Sequence, residues 1–298
     1  MTKKDSLKTA QQMLDVYSGI LFQNQEFESG NSDEIVFDFE CPEFEELRSK
    51  YDLVNIAGNG SDFVKAKRLL HYFSPRLTHS SWYDNHIECN ALRLLEYSLD
   101  RPEQGINCLN KAKILVECCL SLGIYARRVR IMPFSPYDFD NHVVAEIYDG
   151  TLEKWIMLDP STDGYFIDDT NTPLSLLEIR SKFAKAEFTT FVLSADSTKN
   201  IHKTREKHLV TNMYICKNLF YFQVEQYSTF GEKHRFLHFV PLHYSINRTK
   251  QANLEYRTKN LPAEQEGFRR ELERRFSLLT QEQEPQRTDL QVMEKKPY

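Results

Sequence analysis

GINCLNKAKILVECCLSLGI (residues 105–124) and NHVVAEIYDGTLEKWIMLDPS (residues 141–161) decide how this chain folds. In the first, Asn107 is an N-cap residue followed by an apolar run with helical spacing. Cys108, Ala112, Leu115, Cys119 and Leu122 fall on one face, and Gly123 stops the helix. In the second, two alternating runs flank Asp149–Gly150, which predicts a β-hairpin. With Gly150 and Thr151 as a two-residue loop, Asp149 pairs with Leu152, Ile147 with Lys154, Ala145 with Ile156 and His142 with Asp159. Directly opposed residues share a sheet face, with Cβ atoms about 4.5–5.5 Å apart. A five-residue loop would break that relation unless a bulge corrected it.

Outward from these segments, residues 5–23 read as an amphipathic helix with Leu7, Ala10, Leu14, Tyr17 and Leu21 in one stripe. A polar loop covers 24–34, a short strand 35–39, and Pro42 opens an acidic helix to Tyr51. Helices follow at 62–73, with Asp62 as cap, and at 87–99. Strands are predicted at 125–132, 142–149 and 154–159, and a helix from Thr172–Pro173 to about Ala186. Residues 209–227 and 234–246 are aromatic-rich and read as strands, with Phe220, Phe222, Phe236 and Phe239 expected inside. A last amphipathic helix spans about 263–279. Helices first and strands afterwards give an α+β class. The divisions expected are an extension at 1–50, a core at 51–195, packed strands and helix at 196–280, and a disordered tail at 281–298.

Composition narrows the function classes. An apolar fraction of 41%, with 20 Phe, 15 Tyr and 2 Trp, suffices for a large core, and a formal net charge of −5 argues against nucleic acid as partner. Neither a signal peptide nor a membrane span is evident, so a cytoplasmic protein without membrane association is expected. Six cysteines without a regular framework then read as free thiols. His71, His79, His86 and Cys89 form one loose group, and His234, His238 and His243 another. Neither has the paired short spacings of a zinc module, so no metal or cofactor is expected.

The chemistry-bearing residue is Cys108. Unpaired N–H groups at a helix start favour a thiolate, and Cys118 and Cys119 lie at the wrong end of the same helix. The hairpin sets Asp159 beside His142, and a carboxylate so placed fixes the imidazole's tautomer and stabilises an imidazolium beside a thiolate. Cys108, His142 and Asp159 are therefore the expected catalytic set.

These segments resemble the transglutaminase-like superfamily of the papain-like thiol fold. The likeness is carried by GINCLNKAKILVECCLSLGIYARRV, NHVVAEIY and KWIMLDPSTD, across roughly residues 105–163, in the order Cys, His, Asp. Residues 51–104 look more loosely like the helical lead-in of bacterial members. Val143 departs from the Ala that many members carry after the His. The resemblance implies a papain/transglutaminase-like core with an antiparallel sheet. It also implies attack on an amide of a peptide or protein, by hydrolysis or by transfer to an amine, with hydrolysis favoured here. A catalytically silent binding or scaffolding protein with the same fold is the alternative, and a protein partner is compatible with either. By the same likeness an upstream side chain should complete the oxyanion hole, with Trp82 and Asn90 as candidates. The loop PFSPYDFDN (133–141) leads into His142, so Tyr137 and Phe139 are expected to line the substrate site. Its Asp138 and Asp140 predict a preference for neutral or basic segments.

Overall fold

The computed structural model describes residues 3–138, 140–187, 189–194, 205–262 and 264–297. In chain order its helices are α1 (Lys3–Gln23), α2 (Glu43–Lys50), α3 (Leu53–Ala57), α4 (Asp62–Phe73), α5 (Ala91–Asp100), α6 (Cys108–Ser121), α7 (Leu176–Ala184), α8 (Arg205–Asn218), α9 (Ile246–Lys259), α10 (Glu266–Leu279) and α11 (Gln291–Glu294). Its strands are β1 (Val36–Phe37), β2 (Ala126–Met132), β3 (His142–Asp149), β4 (Lys154–Leu158), β5 (Gly164–Ile167), β6 (Thr190–Leu193), β7 (Tyr221–Glu225), β8 (Tyr227–Ser228) and β9 (Phe236–Phe239). The chain is α+β. Five strands form an antiparallel sheet in the order β4-β3-β2-β7-β9, β5 pairs with β6, and β1 pairs with β8. Among the described residues no helix is long and apolar enough to cross a membrane.

Strand side chains alternate, so each face of the main sheet owns a core. Ala126, Ala145, Ile147, Ile156 and Leu158 pack against α6 and the helices α2–α5. Val129, Ile131, Val144, Met157, Phe222 and Val224 pack on the other face against α7, α8 and Leu21 of α1. Helix α6 is buried from Asn110 to Ser121, including its charged residues Lys111, Lys113 and Glu117. Those charges are satisfied internally, as burial requires. Lys113 Nζ lies 3.1 Å from Glu117 Oε1 and donates to the carbonyls of Thr229 and Gly231. Glu117 accepts the N–H groups of Ala91 (2.6 Å) and Gly231 (2.8 Å).

The β3–β4 hairpin differs from the expected register. Asp149 pairs with Lys154, Ile147 with Ile156 and Ala145 with Leu158, across a four-residue turn. The Asp149 carboxylate causes this: one oxygen accepts Thr151 N and Leu152 N (2.9 and 2.8 Å), the other accepts Phe63 N of α4 (2.7 Å). Glu153 closes the turn at φ +50°. The shift is two residues, so faces are preserved: continuing the count sets Asp159 across from Val144, on the diagonal from His142 and on the same face.

Two further expectations fail. Residues 209–218 are helical, not strand, because Asn212, Ile215, Cys216 and Leu219 recur at helical spacing and are the buried ones, while Val210 is exposed. Only Phe236–Phe239 of 234–246 is strand, and Ser245 caps α9, a helix with too few apolar residues to signal itself. Phe220, Phe222 and Phe239 are buried, and Phe236 is half-buried.

Nor is the tail disordered over its described residues 281–297. Thr288, Val292 and Met293 are buried. Residues 287–288 bridge to His238 and Asn31, and Arg287 O passes so close to Gly30 that a Cβ there would lie 2.0 Å from it. Arg127 Nη2 donates to Met293 O (2.7 Å) and Trp155 Nε1 to Lys295 O (3.0 Å). Local polarity suggested disorder; the binding partners lie more than a hundred residues away. Deleting residues 285–298 should therefore lower unfolding stability by at least about 3 kcal/mol, from the lost burial of Val292 and Met293 alone, read by urea denaturation. Trypsin acting on the native chain should leave the tail attached.

Candidate active site

Helix α6 begins with Asn107 as N-cap, its Oδ1 accepting Asn110 N (3.3 Å). Cys108 is thus the first helical residue and is half-exposed. Among the described residues no acceptor takes its backbone N–H, as expected for the first turn of a helix. His142 opens β3 and Asp159 directly follows β4, so both stand at one end of the sheet. The start of α6, which packs on the other face, reaches the same end. His142 Nε2 lies 3.1 Å from Asp159 Oδ2, and Cys108 stands close enough to the ring to favour its charged form.

The three groups are set by their surroundings. Asp159 is buried; its Oδ2 also accepts Thr162 Oγ1 (2.7 Å) and its Oδ1 accepts Ser161 N (2.9 Å). Burial opposes its charge, but His142 and these donors hold the carboxyl below the usual range. Burial also works against the His142 imidazolium. The Asp159 carboxylate, its hydrogen bond and Cys108 outweigh that and raise His142 from 6.5 to about 10. The ring of Tyr214, from α8, covers His142 at 5.4 Å between centroids. Behind Asp159, buried Lys111 donates to Ser74 O (3.2 Å), and Ser74 Oγ to Pro160 O (2.5 Å), which ties the Asp159 loop to the end of α4.

Cys108, His142, Asn107, His79, Ser81, Arg130, Asp140, Asn141, Tyr214 and Gln223 line a cavity of about 540 Å³. His79 is the residue that sequence reasoning missed at the front of this cavity. Its backbone bridges Ile106, two residues before Cys108, and burial together with the Lys111 and His142 cations pushes its pKa down, so the ring is neutral at pH 7. Nothing local in RLTHSS announces this, because the pairing is long-range. Tyr214, Arg130 and Gln223 were missed for the same reason.

The other expected residues lie elsewhere. Trp82 is 94% exposed and outside the cavity lining. Asn90 is buried with its Oδ1 capping α5 through Arg93 N (2.9 Å). Neither lines the cavity on which Cys108 opens. Tyr137 is exposed against Tyr256 (5.1 Å), outside the cavity, and Phe139 lies outside the described residues. The 133–141 loop is fixed by Tyr244 Oη to Phe134 O (3.0 Å) and Asn253 Nδ2 to Pro136 O (2.7 Å). Lys217 binds both Asp138 (2.9 Å) and Asp140 (3.4 Å), so the loop's negative charge is offset. Its Asp140 and Asn141 do reach the cavity. Among the described residues no three His, Cys, Asp or Glu side chains converge as a metal site.

A scan against protein-family models and searches of the curated proteins and of the solved structures find no match to this chain.

A thiol, an imidazole and a buried carboxylate joined in series can hold a thiolate–imidazolium pair and pass a proton from the ring to a leaving group. The pair's contribution to stability has a defined pH window. His142 is raised, so its share is complete below about 6.5 and is lost as pH rises through the higher folded value. Asp159 is lowered, so its share is complete above about 3.9 and is lost as pH falls through the lower folded value. Asp159→Asn removes the main force that raises His142 and leaves Cys108 alone to oppose burial. The ring should then titrate at a clearly lower pH than in the wild type, as read by NMR of ring-labelled histidine.

Proposed function

We propose that this chain is a cysteine-dependent enzyme acting at amide carbonyls of peptides or proteins, with the papain/transglutaminase-like arrangement that its sequence resembles. The observation that carries the reading is a thiol at a helix start, beside an imidazole that is bonded to a buried carboxylate, with thiol and imidazole lining one cavity. Hydrolysis is the favoured outcome, and transfer to an amine uses the same first half-reaction.

The Cys108 thiolate attacks the carbonyl carbon, and its electron pair forms the C–S bond. Negative charge gathers on the oxygen, where the Cys108 N–H and the neutral ring of His79 are the available donors. The C–N bond breaks as the His142 imidazolium gives its proton to the departing nitrogen. Water or an amine, deprotonated by His142, then attacks the thioester and restores the thiol. Asp159 fixes the ring throughout. The other thiols support this division: burial pushes Cys89 up to about 11 and Cys216 up to about 12, and raises Cys118 and Cys119 as well. Burial of this kind makes a thiol inert.

Iodoacetamide at about pH 6.5, half a pH unit below neutrality and well under the ordinary thiol value of about 8.5, should label Cys108 first, with the site mapped by mass spectrometry. His142→Ala should slow that labelling by about tenfold or more, since the thiolate loses its imidazolium partner. Labelling no faster than that of a cysteine peptide, and indifferent to His142→Ala, would leave the chain a binding protein with a silent site.

A further inference from the structure

Arg130 stands on β2 between Val143 of β3 and Gln223 of β7, and all three line the Cys108 cavity. It is the odd member of the RRVR run. Arg127 is bonded to Glu146 and Arg128 to Glu225 and Glu232. Among the described residues the Arg130 guanidinium donates no hydrogen bond and joins no ion pair, and its Nε is buried without a partner. The ring of Phe236 lies 4.3 Å from its Cζ.

A guanidinium cannot escape this by losing a proton, since it stays charged under all ordinary conditions. A buried donor without an acceptor carries an unrelieved desolvation cost. Glu225 and Glu232, on its own side of the sheet, attract Arg130 but accept their hydrogen bonds from Arg128, and Asp140, the one carboxylate among the described lining residues, lies against Lys217. Two parallel N–H bonds to a carboxylate would satisfy the fork. This inverts the charge preference that the acidic loop suggested from sequence.

We propose that Arg130 is the carboxylate-binding residue of the Cys108 cavity, so that the substrate amide carries a carboxylate close to the reacting carbonyl, from an acidic side chain or a free C-terminus. The proposal rests on the reading of Cys108 as the acylated thiol, and the experiment separates the two. Two probe pairs share one electrophile: iodoacetyl-glutamyl amide against iodoacetyl-glutaminyl amide for the side chain, and iodoacetyl-glycine against iodoacetyl-glycinamide for the terminus. In each, the rate of Cys108 labelling by the acid is divided by that of its amide, with the same ratio for a cysteine peptide as reference. In the wild type at least one ratio should exceed the reference about tenfold, the effect of one charge-assisted contact. Whichever pair shows it names the source of the carboxylate. The ratio should fall to within about twofold of the reference in Arg130→Met, and Arg130→Gln serves if that variant does not fold. Wild-type ratios equal to the reference in both pairs, or a preference that survives loss of the guanidinium, would overturn the carboxylate site. Plain iodoacetamide reads the thiol separately: a Cys108 no more reactive than the peptide sinks the acyl-transfer reading, while the ratios still decide on Arg130.

Discussion

A buried ion pair on one helix positions the site. Lys113 and Glu117 sit one turn apart on α6, both inaccessible to solvent, and between them they bind Ala91 at the start of α5 and both Thr229 and Gly231 in the second half of the chain. Removing one member would strand the other charge in the core, at a cost of about 3–5 kcal/mol. Removing neither leaves α6 no freedom to slide along the sheet. Where α6 starts is where Cys108 stands, so a pair located about one and a half to two and a half turns from the thiol helps to fix it.

The second constraint is the parity of the β3–β4 hairpin. His142 and Asp159 belong to different strands and meet only if their side chains leave the sheet on one face. The observed turn is two residues longer than the tightest choice, and the pair survives because a shift of two changes a direct neighbour into a diagonal one. A shift of one would have sent Asp159 to the α6 side, among Ala145 and Ile147, and Ile156 and Leu158 away from it. The Asp149 carboxylate, which ties the turn to α4, thus contributes to a contact at the far end of the same hairpin.

The two faces of the sheet divide the labour around the cavity. The α6 face supplies the sulfur, the N–H groups of the helix start, and Arg130. The opposite face supplies His142 and Asp159 and receives α8, whose Tyr214 covers the imidazole. Charges that serve the fold are saturated: Arg127 joins Glu146, which in turn accepts Leu176 N at the start of α7 (2.9 Å). At the cavity, by contrast, the buried Nε of Arg130 has no hydrogen-bond partner.

The sequence by itself determined what depends on short-range periodicity and on parity. The helix of Cys108 and its cap, the strands at 142–149 and 154–158, and the shared face of His142 and Asp159 were all legible, since each follows from spacing within about twenty residues. It misjudged 209–218, where helical burial of Ile215, Cys216 and Leu219 is hidden among aromatic residues, and 281–297, where a polar segment is held by Arg127, Trp155, Asn31 and His238. Only the tertiary structure decided which upstream residue shares the thiol's cavity and which arginine lacks a hydrogen-bond partner. His79 is there because its backbone pairs with Ile106, and Arg130 is unpaired because Arg128 occupies the carboxylates around it. Contacts of that kind join segments far apart in the chain, and their geometry is set by how two cores close on one sheet, which no local pattern of residues records.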